Sequence, residues 1–273
     1  MKLLVIGDLH GNRNWKNLVK EYKHDFVVFV GDYTDSYKTT IKEDMDNLME
    51  IIEYKKANKG SVVLLLGNHD LQYVTKYNSY HICTRELDRA FPNLYPIYKE
   101  NIHLFQLAWQ VGNTLFTHAG VHKEWLDNYK KLKGVDAIDN YADSFNNDYV
   151  NWLKRCTAEH QSQSQRKPNV FYVGRSRTNG SFDCLVGGPV WFDNRHVYDF
   201  NGLPENLNQV AGHNRTTSGQ VEVYTTSTGS STYWCTDCLS SNPESTPLVL
   251  NVDPRSPRSK VYYKKENFDF EFF

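Results

Sequence analysis

Short apolar runs recur along the chain, and each breaks off at a glycine or a histidine beside polar side chains: KLLVIGDLHG, FVVFVGDYTD, VVLLLGNHD, NTLFTHAG and, less apolar, NQVAGHN. The first three carry leucine or β-branched residues at successive positions, the pattern of strands covered on both faces. Between the second and third runs, Met45, Leu48, Met49 and Ile52 fall at i, i+3, i+4 and i+7 with no proline between them. That spacing predicts a helix over 43–57 with one apolar face. Strand, helix and strand in this order predict a crossover and parallel pairing.

NWKNLVKE, residues 14–21, predicts a shorter helix between the first two runs. In IDNYADSFNNDYVNWL, Ile138, Tyr141, Phe145, Tyr149 and Trp152 form a stripe at helical spacing, which predicts a core-facing helix. TAEHQSQSQRKPN, residues 157–169, reads as a polar loop. Beyond His213 the chain turns to QVEVYTTST, STYWCTDCL, TPLVLNVD and SKVYYKKENFDFEFF, rich in valine, threonine and tyrosine. These predict consecutive antiparallel strands, with the part from Pro254 as an edge strand or docking tail. The fold class is α/β, with a β-rich second part, expected as a single domain over residues 1–273.

The 273 residues are 40% hydrophobic and 14% aromatic, enough for a sizeable core. Basic and acidic residues, 31 and 32 in number, are interspersed, so the net charge of -1 leaves no footprint for nucleic acid or an anionic membrane. The apolar run at the N-terminus is too short for a secretory signal and no other run approaches a membrane span, so a cytoplasmic protein is expected. Five scattered cysteines favour reduced thiols. Cys235 and Cys238 have Cys-x-x-Cys spacing, yet no second pair completes a zinc site, and a strand running into a turn accounts for them.

Ligands gather at the carboxyl ends of strands in a mostly parallel sheet. At the predicted ends stand Asp8 and His10, Asp32 and Asp35, Asn68 and His69, His118, and His213. Each group alone is ordinary turn or capping chemistry. Five strand ends with oxygen and imidazole donors, and no thiolate, suit divalent ions such as Mn, Fe, Zn or Mg. Asp32, from the middle run, is the candidate to bridge two such ions, and a dinuclear pair serves in-line displacement at phosphorus. The other histidines, His24, His81, His103, His122, His160 and His196, read as solvated or packing residues.

GDLHG, GDYTD, GNHD, HAG and GH, in this order across residues 7–213, resemble the signature blocks of the calcineurin-like metallophosphoesterases. Gly11 after His10, the HAG at His118, and GGPVWFDNR at 187–195 resemble its phosphoprotein phosphatase branch, which includes serine/threonine phosphatases and bacterial and phage relatives. Nuclease and cyclic-nucleotide branches usually carry a second histidine where GHNR has Arg215. The resemblance implies a four-layer α/β/β/α sandwich holding two divalent ions, Mn first, with Fe, Zn, Ni or Mg as alternatives. It places Asp8, His10 and Asp32 on one ion and Asp32, Asn68, His118 and His213 on the other, with direct attack by a hydroxide bridging them.

His69, next to Asn68, is then positioned to protonate the leaving oxygen, with Asp35 bonded to its other ring nitrogen. Ser36 stands where eukaryotic members of the branch carry a phosphate-holding arginine. Arg195 is the first candidate to replace it, and Arg13, Arg175, Arg177 and Arg215 are its competitors. Asp70, where many members carry glutamate, has no role beyond shaping its loop. The expected substrate is a phosphomonoester, with phosphoserine and phosphothreonine in proteins included. Dinucleoside polyphosphates, phosphodiesters and nucleic-acid ends remain alternatives for the same site. A non-catalytic binding protein is disfavoured by the intact set of donors.

Overall fold

Three parallel strands, β1 (Lys2–Ile6), β2 (Phe26–Phe29) and β3 (Val62–Leu65), carry the first three apolar runs, with Leu4 opposite Val27 and Val28 opposite Val63. This computed structural model describes residues 1–74, 87–158, 170–171, 174, 186–194, 202–240, 242 and 244–259. Crossovers run through α1 (Trp15–Glu21) and α2 (Ile41–Ala57), close to the predicted 14–21 and 43–57. Thr40 and Glu43 form a reciprocal capping box, which starts α2 two residues before the apolar stripe alone suggested.

The strands are apolar at every position because both of their faces are covered. Leu3, Val5, Val28, Val30, Val63 and Leu65 meet Trp109, Phe116 and Val210 of a second sheet. The alternate positions, Leu4, Ile6, Val27, Phe29, Val62 and Leu64, join the cluster containing Trp15 of α1 and Leu48, Ile51 and Ile52 of α2. Side-chain period 2 thus divides each strand between a sheet-to-sheet core and a sheet-to-helix core.

The first sheet also contains β4 (Phe105–Gln106) and β10 (Leu248–Asn251), in the order β10-β1-β2-β3-β4. The second contains β5 (Ala108–Val111), β6 (Thr114–Thr117), β7 (Asn208–Ala211), β8 (Glu222–Thr225) and β9 (Thr232–Cys235), in the order β5-β6-β7-β9-β8. A one-turn helix, α3 (Asn68–Leu71), follows β3, and α4 (Leu87–Asn101) packs on α2 outside the first sheet. α5 (Lys123–Lys133) and α6 (Tyr141–Ala158) contribute Trp125, Leu126, Phe145 and Tyr149 to the core, with α6 lying on β5 and β6. Two sheets flanked by helices make the mixed α/β architecture the motifs implied.

Three details differ from the sequence reading. The helix predicted from Ile138 begins at Tyr141 and runs to Ala158, so residues 157 and 158 finish a helix while 159–169 lie outside the described residues. β8 and β9 pair antiparallel as expected, but β9 also lies parallel to β7. β10 leaves that sheet and pairs antiparallel with β1, where Leu248 and Leu250 pack against the core between the sheets. Strand order is set by long-range burial, which local alternation does not encode.

Past Pro254, the chain bonds to the outer edge of β5. The Gly112 N–H donates to the Pro257 carbonyl at 2.8 Å and the Ser259 N–H to the Gln110 carbonyl at 2.9 Å. Residues 260–273 of the expected tail lie outside the described residues. No helix among the described residues is long and apolar enough to cross a membrane.

Candidate metal centre

β1, β2 and β3 run parallel in one sheet, and β6 and β7 run parallel in the other. The loops that leave their carboxyl ends supply all eight of the non-arginine site residues. These loops are bonded to one another as well as to their strands. The Leu9 and His10 N–H groups donate to the Asp32 carbonyl at 3.0 and 2.9 Å, and Gly11 N–H to the Tyr33 carbonyl at 2.9 Å. The His213 N–H donates to both carboxylate oxygens of Asp8 at 3.0 Å, joining the β7 end to the β1 end. Gly67 and Gly212 permit this closeness: a Cβ on Gly67 would lie 2.0 Å from Asp32 Oδ1, and one on Gly212 1.9 Å from Asp8 Oδ1.

The backbone is strained where the donors are. Among the described residues, the non-glycine positions with φ in the left-handed region are His10 at 42°, Asp32 at 53°, Asp35 at 64° and His213 at 65°, together with Asn206 at 59° outside the site. Such conformations persist only where the surroundings enforce them, and they concentrate at functional sites.

His10, Asp32 and His69 bring donor atoms within 4.8 Å of one another, and so do Asp32, His118 and His213. Asp32 is common to both groups. Asn68 Oδ1 lies 2.8 Å from His118 Nε2 and 2.9 Å from His213 Nδ1. Asp8 reaches the cluster through the His213 backbone and is fully buried.

The tautomers show that this donor set suits a cation. His118 Nδ1 is 2.9 Å from the Val30 carbonyl and His10 Nδ1 is 2.8 Å from the Thr34 carbonyl. A carbonyl only accepts, so both Nδ1 atoms carry hydrogen, and in the neutral rings the lone pairs are left on Nε2. Those lone pairs face the Asp32 carboxylate, at 3.4 Å from His118 and 3.7 Å from His10. Acceptor facing anionic acceptor is repulsive unless a cation lies between them, and a ring N–H on a backbone carbonyl is the usual support for a metal-binding histidine.

Electrostatics agree. Burial pushes the Asp32 carboxyl up, but at the low pH where it titrates the surrounding imidazoles are protonated, and His118, His69, His10 and His213 then outweigh burial and take its pKa down to about 2, so it is ionised at neutral pH. Burial pulls His118 below the ordinary imidazole range despite the Asp32 charge, which favours the neutral, metal-binding form. Asp8 is raised by burial and by the nearby charges of Asp237 and Asp32, a repulsion that a divalent ion would relieve.

His69 has a different setting. Its Nδ1 is 2.9 Å from Asp35 Oδ2, and its backbone N–H donates to Asp32 Oδ1 at 2.9 Å. Burial alone would lower its pKa, but the charges of Asp32 and Asp35 raise it to about 9, so the ring holds a proton at neutral pH.

Two buried acids near the centre were not foreseen as parts of it. Asp70 accepts from the N–H groups of Asp32 at 2.7 Å, Tyr33 at 3.1 Å and Gly67 at 2.8 Å, and from the Tyr98 hydroxyl at 2.6 Å. It therefore fastens the β2 loop to the β3 loop. Asp237, in the WCTDC segment after β9, is buried and close enough to raise the Asp8 carboxyl. Nothing in its local pattern marks it, because the parallel placement of β9 beside β7 is what brings it to this end.

The arginine candidates separate. Arg13 donates to Glu50 on the surface at 2.9 Å, and Arg215 is exposed on the His213 loop with its charge felt at Asp237. Arg175, Arg177 and Arg195 lie outside the described residues. The Ser36 hydroxyl accepts from the Lys38 and Thr39 N–H groups, so it shapes its own turn. Cys235 and Cys238 are buried thiols, and burial raises both above the ordinary range, as packing residues require.

The profile of the calcineurin-like phosphoesterase family matches residues 1–214. This chain belongs to that family. Phosphoric ester hydrolysis with divalent metal ions is the family's chemistry, and the donor set above is the part of the chain that answers to it. Among solved structures, the chain is similar to a cold-active protein-tyrosine phosphatase from a psychrophilic Shewanella species at 16% identity. That match covers 94% of this chain and 77% of the other with a TM-score of 0.53. A further structure of a cold-active protein tyrosine phosphatase gives 16% identity over 94% and 75%, with a TM-score of 0.56. A serine/threonine phosphatase from Saccharomyces cerevisiae matches at 17% identity over 52% and 46%, with a TM-score of 0.34.

In this calcineurin-like phosphoesterase the candidate donors have apolar surroundings on one side. Beside Asn68 lies an apolar wall of Leu71, Trp152, Phe171 and Trp191, and the Trp191 ring stands edge-on to His213 at 5.8 Å. This wall borders the cluster on the Asn68 side.

Proposed function

We propose that this calcineurin-like phosphoesterase is a phosphatase of phosphomonoesters, phosphoserine and phosphothreonine in proteins among them, with two divalent ions, Mn first, as cofactors. The observation that carries the reading is the sharing of Asp32 between two tight donor groups, with a protonated His69 set against Asp35 alongside them.

In this proposal Asp8, His10 and Asp32 hold one cation and Asp32, Asn68, His118 and His213 the other. Divalent ions supply Lewis acidity toward phosphoryl oxygens and lower the pKa of water toward neutrality. Neutral His118 and ionised Asp32 are ready to bind without first losing a proton. As an oxygen from water bonds to phosphorus, giving its proton to solvent, the ester bond breaks, the electron pair goes to the leaving oxygen and His69 donates its Nε2 proton there, while Asp35 keeps hold of Nδ1. Phosphate is held by an arginine, with Arg195 first and Arg215, on the His213 loop, the competitor among the described residues.

The deciding experiment reconstitutes metal-free protein with Mn, Fe, Zn, Ni or Mg and measures turnover of a p-nitrophenyl monoester, peptides with each phosphorylated residue, phosphodiesters and dinucleoside polyphosphates. The expected outcome is Mn-supported turnover of monoesters, with phosphoserine and phosphothreonine peptides among the substrates. Preference for phosphotyrosine would overturn the phosphoserine and phosphothreonine reading, and no turnover with any ion would reject catalysis.

A further inference from the structure

We infer that Tyr73, two residues past α3, is a positioning residue for proton donation by His69; this rests on the phosphatase reading above. Asp35 is engaged on both of its carboxylate oxygens. Oδ2 takes His69 Nδ1 at 2.9 Å and the Gln72 side-chain amide N–H, while Oδ1 takes the Tyr73 hydroxyl at 2.5 Å. A carboxylate bonded to an imidazole alone can turn about its Cβ–Cγ bond and carry the ring with it. A donor on the opposite oxygen fixes the carboxylate plane, and the plane fixes the direction in which the imidazole presents its other nitrogen.

Tyr73 is itself immobilised. Its side chain is wholly buried, its ring lies parallel to that of Tyr98 at 6.1 Å with an interplanar angle of 11°, and Phe91 packs at 6.4 Å. Tyr98 in turn gives its hydroxyl to Asp70. The two stacked phenols therefore serve the two buried acids: one orients the carboxylate behind the proton donor, and the other fastens the loops that carry the metal-binding residues. Asp35 needs this support because its own φ of 64° places it in a conformation that local structure disfavours. His69, Gln72 and Tyr73 follow Asn68 within one turn and the residues just past it, so the donor and two of its supports are positioned by the same piece of backbone.

In the step that Tyr73 serves, an oxygen from water bonds to phosphorus, its released proton passing to solvent, as the bond between phosphorus and the leaving oxygen breaks; the electron pair passes to that oxygen and the His69 proton joins it. An alkoxide needs that proton; a nitrophenolate hardly does. Tyr73→Phe keeps the ring stack and removes only the hydroxyl. With the manganese-loaded protein, kcat on a phosphoserine peptide is expected to fall ~10-fold and kcat on p-nitrophenyl phosphate threefold or less, with KM and metal content little changed. Gln72→Met, which removes the donor on the other oxygen, is expected to show the same bias between esters.

In a His69→Ala background, Tyr73→Phe is expected to add no further bias. An equal fall on both esters, or an undiminished effect without His69, would overturn the positioning role while leaving the phosphatase reading in place. Failure of His69→Ala itself to discriminate between the esters would instead remove the acid assignment on which the inference stands.

Discussion

At the scale of single residues, His69 and Asn68 are chain neighbours with opposite duties. Asn68 turns its amide oxygen toward two imidazoles, whereas His69 turns away to Asp35 and keeps a proton. His69 nevertheless shares a donor group with His10 and Asp32, so its role has to be separated from metal binding by experiment. His69→Ala is expected to retain both metals and to lose ~10²-fold or more in kcat on alkyl phosphates, the usual scale of general acid catalysis. Metal analysis of the purified variant beside its turnover provides the check, and parallel loss of metal and activity would make His69 a ligand. The donor residues were legible because glycine-flanked Asp, Asn and His recur at strand ends. Asp70 and Asp237 were not, since the importance of each comes from what it meets across the fold: three backbone N–H groups for Asp70, and the neighbouring Asp8 for Asp237.

At the scale of elements, α2 shows what periodicity reveals and what it omits. Leu48 and Ile52 face the core as their spacing implies, and the Thr40–Glu43 box fixes where the helix begins. α4 left no comparable signal, because Pro92 and Pro96 interrupt its pattern although its fold neighbours keep it helical. The end of α2 holds a feature that no pattern marks: Lys55, buried, with its ammonium donating to the carbonyls of Lys59 and Val62. Burial takes its pKa from 10.5 down to about 8. The native state releases this proton near pH 8 and the unfolded state near 10.5, so between those values the unfolded state binds more protons and stability rises with pH. The full difference is of order ~3 kcal/mol. Urea unfolding at pH 7.5 and 9.5 is expected to show wild type gaining ~2 kcal/mol relative to Lys55→Met over that interval. A difference that stays flat with pH would mean that Lys55 is solvated in the folded protein.

At the scale of the whole molecule, the candidate centre sits where the two sheets open toward the same end. Asp8, His10, Asp32 and Asn68 come from loops of the first sheet, and His118 and His213 from loops of the second. The apolar core that joins the sheets, from Leu3 and Val5 across to Trp109 and Phe116, lies behind these loops and leaves the polar end to be closed by other means. Cations shared among the six side chains would close it, and would also offset the mutual repulsion of Asp8, Asp32 and Asp237. Such ions bind the assembled loops far better than an unfolded chain, so they stabilise the native state by mass action: ~2.7 kcal/mol at a free concentration 100-fold above Kd. For a chain of this size that corresponds to roughly 5 °C in Tm. Removal of metal by chelation is therefore expected to lower Tm by about that amount, and added Mn to restore it. Asp32→Asn, which weakens the residue common to both donor groups, is expected to blunt the response to Mn. Calorimetry of the chelated, Mn-loaded and Asp32→Asn proteins tests this directly. A Tm indifferent to Mn in the unsubstituted protein would mean that the loops are held together by their own hydrogen bonds, such as His213 to Asp8 and His10 to Asp32, without help from an ion.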